Sequence, residues 1–168
     1  MSAISNILIP LLKLWLRSQT EKIEKLEITI EGNSWQIMKG NIPYAQISAE
    51  QIIYQGLAIT TAHISTAHIH LNVPQLLKGE PLKLLNPIYI QLQAFLDSPA
   101  VHQCLNSALF QQAIHDLDIN YSPPTNDPEL THLLHTLVVK LGEQLQLQEL
   151  TVQNGTINLC ALLPIQAT

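Results

Sequence analysis

His63, His68 and His70 fall within eight residues and form the densest ionisable cluster in the chain. Imidazoles at such spacing can hold zinc when a fourth nitrogen, thiolate or carboxylate completes a tetrahedron. No cysteine or carboxylate lies near them in the sequence, and the neighbouring Ile64 and Ile69 have the stronger claim to a buried face. Solvent-facing strand histidines are therefore the favoured reading. His132 and His135 stand three apart, but the pattern is HLLH, without the glutamate of a zinc-protease helix. His115 sits beside Asp116 and Asp118 with no activated nucleophile to serve. The six glycines are too scattered for a phosphate-cradling loop or a nucleophile elbow. Cys104 and Cys160 are isolated thiols rather than a disulfide framework. No catalytic residue, metal ligand or cofactor is assigned.

The stretch that carries the histidines is more informative than the histidines themselves. Gly40 to Val73 spans thirty-four residues with a single charge, Glu50. Apolar residues alternate with polar ones through Ile47 and Ala49, Leu57 and Ile59, Ala62 and Ile64, then Ala67, Ile69, Leu71 and Val73. A period of two marks strands with one buried face. The phase slips between Ile59 and Ala62, and again between Ile64 and Ala67. Each slip predicts a bulge or tight turn, since an uncorrected slip would turn the next segment inside out. The expected product is a long, curved, one-sided antiparallel sheet.

Other segments supply its cover. Residues 4–24 predict a helix, with Ile4, Ile7, Leu8, Leu11, Leu12, Trp15 and Leu16 at three- and four-residue spacing and Pro10 inside. Leu26, Ile28 and Ile30 predict a first strand, and Trp35 to Ile37 the start of a second. Pro74 to Gly79 reads as a short helical turn, Glu80 to Pro87 as a loop, and Ile88 to about Leu96 as a strand. Asp97-Ser98-Pro99 opens a helical pair that Ser107 divides. Asp127 is expected to cap a helix that ends at Gly142. Asn154-Gly155 predicts a hairpin that pairs Val152 with Ile157 and Leu150 with Leu159.

The chain therefore reads as one α+β domain. Residues 1–24 form an amphipathic helix, 25–96 a curved sheet, 97–118 a helical pair, and 128–163 a helix plus hairpin. Charged residues are only 12% of the chain, about half the usual share, so the core is aliphatic and the surface weakly charged. A net charge of −5 excludes a nucleic-acid partner, which needs a basic stripe. Charge is uneven: Lys13, Arg17, Lys22 and Lys25 crowd the first twenty-five residues, while from Ile88 onward Lys140 alone faces seven acids. An N-terminal helix lying on an anionic membrane fits this asymmetry, and so does a helix whose apolar face packs on the sheet. Lys13 interrupts the first apolar run, and no basic segment precedes it, so it does not read as a secretory signal. With no apolar run of about eighteen residues, the expected location is cytoplasmic and peripheral to a membrane.

In LKLWLRSQTEKIEKLEITIEG, KGNIPYAQISAEQIIYQGLAITTAHI and LNVPQLLKGEPLKLLNPIYIQLQ, followed by a helical pair, the chain resembles the LmeA-like phospholipid-binding family in its cyanobacterial form. The resemblance covers about Leu12 to Phe110. It implies a fold similar to half of a tubular lipid-binding (TULIP, BPI-like) domain: a strongly curved antiparallel sheet wrapped around helices, with acyl chains in an apolar groove. It also implies a phospholipid partner at a membrane and leaves a bound phospholipid or fatty acid open as a small-molecule ligand. On that reading the groove is lined by Ile47, Leu57, Ile59, Ile64, Ile69, Leu71, Leu92, Leu105, Leu109 and Ile114. Docking falls to Leu12, Lys13, Trp15, Leu16, Arg17, Lys22 and Lys25. The competing function is a non-catalytic, membrane-associated scaffold or interaction protein whose exposed apolar patch binds a membrane, a partner chain or a second copy as a homodimer.

Overall fold

The structure, a computed structural model, describes residues 3–168, apart from the side chains of residues 3–5 and of Glu143. Ile4 of the expected apolar helix face thus lies outside the described side chains. Helix α1 (Ala3–Gln19) runs unbroken through Pro10. It stops five residues short of the expected end, because β1 (Lys22–Glu31) has already begun, with Ile23 half-buried and Glu24 and Lys25 exposed. Leu8, Leu12 and Leu16, at four-residue spacing, pack into the first core cluster with Leu26, Ile28 and Ile30 of β1.

Trp35 to Ile37 do not begin a strand. They belong to α2 (Ser34–Met38), closed by a reciprocal cap in which Asn33 accepts from the Gln36 amide and the Gln36 side chain accepts from the Asn33 amide. Two satisfied amides outweigh the strand propensity of three residues. Strands β2 (Asn41–Tyr54) and β3 (Leu57–His70) follow as a long hairpin, then α3 (Val73–Leu77), β4 (Ile88–Leu96), α4 (Ser98–Leu105) and α5 (Ala108–Asp116). Asp97 and Ser107 cap α4 and α5 as expected. The chain closes with α6 (Asp127–Leu141), β5 (Gln146–Gln153) and β6 (Thr156–Ile165). Asn126, not Asp127, caps α6. The Asp127 carboxylate instead accepts the amides of Asn154 and Gly155 at 2.8 and 2.9 Å, fastening α6 to the hairpin turn.

All six strands form one unclosed antiparallel sheet in the order β1-β2-β3-β4-β6-β5. The C-terminal hairpin pairs Val152 with Ile157 and Leu150 with Leu159, and β6 adds it to β4. The sheet is therefore wider than residues 25–96.

Two phase slips bend it. Inward residues stand three apart in β1 (Ile23, Leu26), in β2 (Ala49, Ile52) and in β3 (Ile59, Ala62), and these pair in register across all three strands. Gln51 takes φ 52° at this line. The second slip comes later than the alternation implies. Thr66 takes the inward site opposite Ala45, Ala67 is exposed, and the reset falls at His68, φ 55°, before Ile69 pairs with Ile42. Threonine tolerates the inward site because its hydroxyl donates to the Tyr89 carbonyl at 3.0 Å.

Candidate functional site

The inward side chains of the six strands form one apolar face, but helices cover only its two sides. A first core cluster joins α1, α2 and α3 to β1–β3. A second joins α4 and α6 to β4–β6 through Val101, Leu130 and Ile157. Between them, Ala45, Ile47, Ile64, Ile90, Leu92 and Leu163 are only half-buried. Register places them side by side: Ile47 opposite Ile64, Ile64 opposite Leu92, and Ile90 opposite Leu163. None of these side chains is charged. Along β6 the strip is closed at Ile157 (6% exposed) and Ala161 (0%), with half-buried Leu159 between them, and opens at Leu163 and Ile165 (37%). β3 and β4 pair only from Thr61–Phe95 to Ser65–Gln91; beyond that they part, with loop 78–87 tied to the end of β3.

Of the ten residues expected to line a groove, Ile47, Ile59 and Leu92 are half-buried against the first cluster, and Ile64 is half-buried on the same face between Ile47 and Leu92. Ile69 and Leu71 are buried within that cluster. Leu57 is half-buried at the start of β3, Leu105 packs on the second cluster, Ile114 is buried in α5, and Leu109 is exposed. Sequence reasoning missed Ala45, Ile90 and Leu163, although Ile90 shows in the alternation of β4. The seven expected docking residues are divided. Leu12 and Leu16 pack inward, and Lys13 is half-buried. Trp15 is exposed, and Arg17 is exposed but donates to the Ile23 carbonyl at 2.7 Å. Lys22 lies on β1, 3.9 Å from Glu24, and Lys25 lies on the polar face.

That polar face is itself concave, as a strongly twisted sheet is along one diagonal. Its concavity of about 660 Å³ reaches from Lys25 on β1 to Glu149 on β5, over Ser48, Glu50, His63 and Gln93. Carboxylates on its wall make it unsuited to an alkyl chain. Ser48 Oγ and His63 Nδ1 are 2.8 Å apart, but His63 Nε2 faces Gln46 Nε2 at 3.5 Å rather than a carboxylate. This is a serine–imidazole pair without the acid that orients a nucleophile's base. A second concavity of about 670 Å³ lies beside α6, with Asp118, Glu129 and His132 on its wall. The Thr125 amide, then its hydroxyl, holds the Glu129 carboxyl below its ordinary range. Both cysteines are free thiols. Burial pushes the Cys104 thiol up, partly offset by the Ala58 amide. His68 and His70 are exposed, and among the described residues no three His, Cys, Asp or Glu side chains converge as metal ligands. Chelator treatment is accordingly expected to leave the melting temperature unchanged, because structural zinc would be coupled to folding; a clear drop in calorimetry would contradict this.

No helix among the described residues is long and apolar enough to cross a membrane. Searches of curated proteins and of solved structures find no match to this chain. The family model described as LmeA-like phospholipid-binding matches residues 2–162, nearly the whole length. An α+β chain with a curved, unclosed six-stranded sheet and an uncharged, partly open apolar face thus belongs to the LmeA-like phospholipid-binding family.

Proposed function

We propose that the protein holds phospholipid acyl chains along the strip between the two core clusters and works at a membrane surface, as a binding or transfer module. The observation that carries this is the half-burial of Ile47, Ile64 and Leu92 between the two sides of the apolar face that helices cover. A filled core would bury them; a lipid site needs aliphatic walls and few polar groups. The headgroup would remain toward the end where the strip opens.

Native mass spectrometry of freshly purified protein tests the reading. The expected result is a retained phospholipid mass. Leu92→Trp fills the strip without placing a charge in it. It should lower the lipid-bound fraction roughly tenfold, a loss of about 1.4 kcal/mol of affinity, while the melting temperature holds. A clean apo mass for the wild type, or unchanged loading of Leu92→Trp, would defeat the proposal.

A further inference from the structure

One end of the sheet gathers the end of β1, the start of β2, the end of β3 and the connections that join them. Helix α2 follows β1, and α3 with loop 78–87 joins β3 to β4. β4 starts here, and β6 finishes here at Ile165, opposite Ile88. At this tip Trp35, Met38, Leu77, Leu85, Tyr89 and Ile165 are exposed, half of the large hydrophobic side chains exposed among the described residues. Trp35 and Tyr89 are 65% and 61% exposed, which is costly for aromatic rings left in water.

The tip is a built surface. Asn72, 5% exposed, ties the loop down: its Nδ2 donates to the Pro81 carbonyl at 2.8 Å, and its Oδ1 accepts the Lys83 amide at 2.7 Å. Leu85 N donates to the His70 carbonyl, and Leu71 N to the Gly40 carbonyl. The Asn33–Gln36 cap fixes α2. The apolar side chains are therefore held outward by hydrogen-bonded backbone.

Charge names the occupant. Lys39, Lys78 and Lys83 lie on the same connections, against Glu31 and Glu80, in a chain whose net charge is −5. Lys39 Nζ sits 4.7 Å from the centre of the Trp35 ring. Indole and phenol rings beside lysines suit the boundary between headgroups and acyl chains: the rings enter the boundary while the ammonium groups reach phosphate. The strip opens at this same end, where β6 becomes exposed.

We infer that this tip is the membrane-docking surface and that its partner is an anionic lipid bilayer, so a lipid passes between bilayer and strip without crossing water. The inference rests on the reading of the strip as a lipid site. The bilayer contact is made by α2, α3 and loop 78–87, and α1 remains on the sheet.

Flotation with phosphatidylglycerol/phosphatidylcholine vesicles tests it. Wild type should float at low salt and less at high salt, as screening weakens the lysine contribution. Trp35→Ser/Leu85→Ser/Tyr89→Ser should cut the bound fraction roughly tenfold with an unchanged melting temperature, because exposed side chains contribute little to folding. Lys39→Glu/Lys78→Glu/Lys83→Glu should abolish the preference for anionic over neutral vesicles. Lys13→Glu/Arg17→Glu should float like wild type. Native mass spectra of the serine variant separate the two ideas: retained lipid with lost flotation supports the tip, and an empty strip in the wild type refutes the lipid site itself. Tip variants that float like wild type overturn the inference, as does loss of flotation in the α1 variant alone. A wild-type dimer that the serine variant dissolves, with no vesicle binding, assigns the tip to a second copy instead.

Discussion

Ile69→Asp is expected to unfold the protein or to lower its stability by about 4 kcal/mol or more, since the new carboxylate would be buried without a partner. Ile69 is 7% exposed and pairs with Ile42, 2% exposed, in the first core cluster. A typical domain has about 5–15 kcal/mol in total, so the effect is large on any scale. His68→Asp, one residue away, should change stability by no more than about 0.5 kcal/mol. That side chain is exposed, and at φ 55° its backbone is in the left-handed region that aspartate tolerates well. Ala67→Asp distinguishes the alternation of the sequence from the register of the structure. The first turns Ala67 inward and makes the substitution severe; the second leaves it exposed and makes it mild. Urea midpoints of the three variants decide, and a severe Ala67→Asp would falsify the register.

Gly40→Ala should cost roughly 3 kcal/mol or more. Gly40 has φ 91°, and a Cβ there would lie 2.0 Å from the Leu71 carbonyl oxygen. The left-handed backbone alone accounts for about 1–2 kcal/mol. The rest comes from forcing apart two chain segments joined by the Leu71 amide, which donates to the Gly40 carbonyl at 2.9 Å; a lost hydrogen bond adds about 1 kcal/mol. Gly79 provides the control. Its φ is 89°, but nothing lies within 4 Å of its added Cβ, so Gly79→Ala should show the backbone part alone. Equal melting temperatures for the two variants would mean that Gly40 and Leu71 do not approach as closely as described.

The sequence by itself determined the local structure. Alternation gave β2 and β3 one buried face, Asp97 and Ser107 marked two helix starts, and Asn154-Gly155 set the register of the last hairpin. These signals are legible because period, cap and turn chemistry act within a few residues. The first slip was legible as well, between Ile59 and Ala62, but not as a bulge: β1, β2 and β3 slip together and their pairing runs without a register shift. The reciprocal cap at Asn33 and Gln36 is written in the sequence, but the five residues it opens are too few to show a helical period. Tertiary structure decided the rest. It placed β6 between β4 and β5, a pairing of segments some sixty residues apart that no local pattern encodes. It moved the second reset past Thr66, whose hydroxyl finds its partner on β4. Above all it decided which apolar residues are covered. Ile64 and Ile69 carry the same alternation, yet Ile69 is buried and Ile64 only half so. A period of two tells which side chains share a face; what lies over them depends on helices that arrive from elsewhere in the chain.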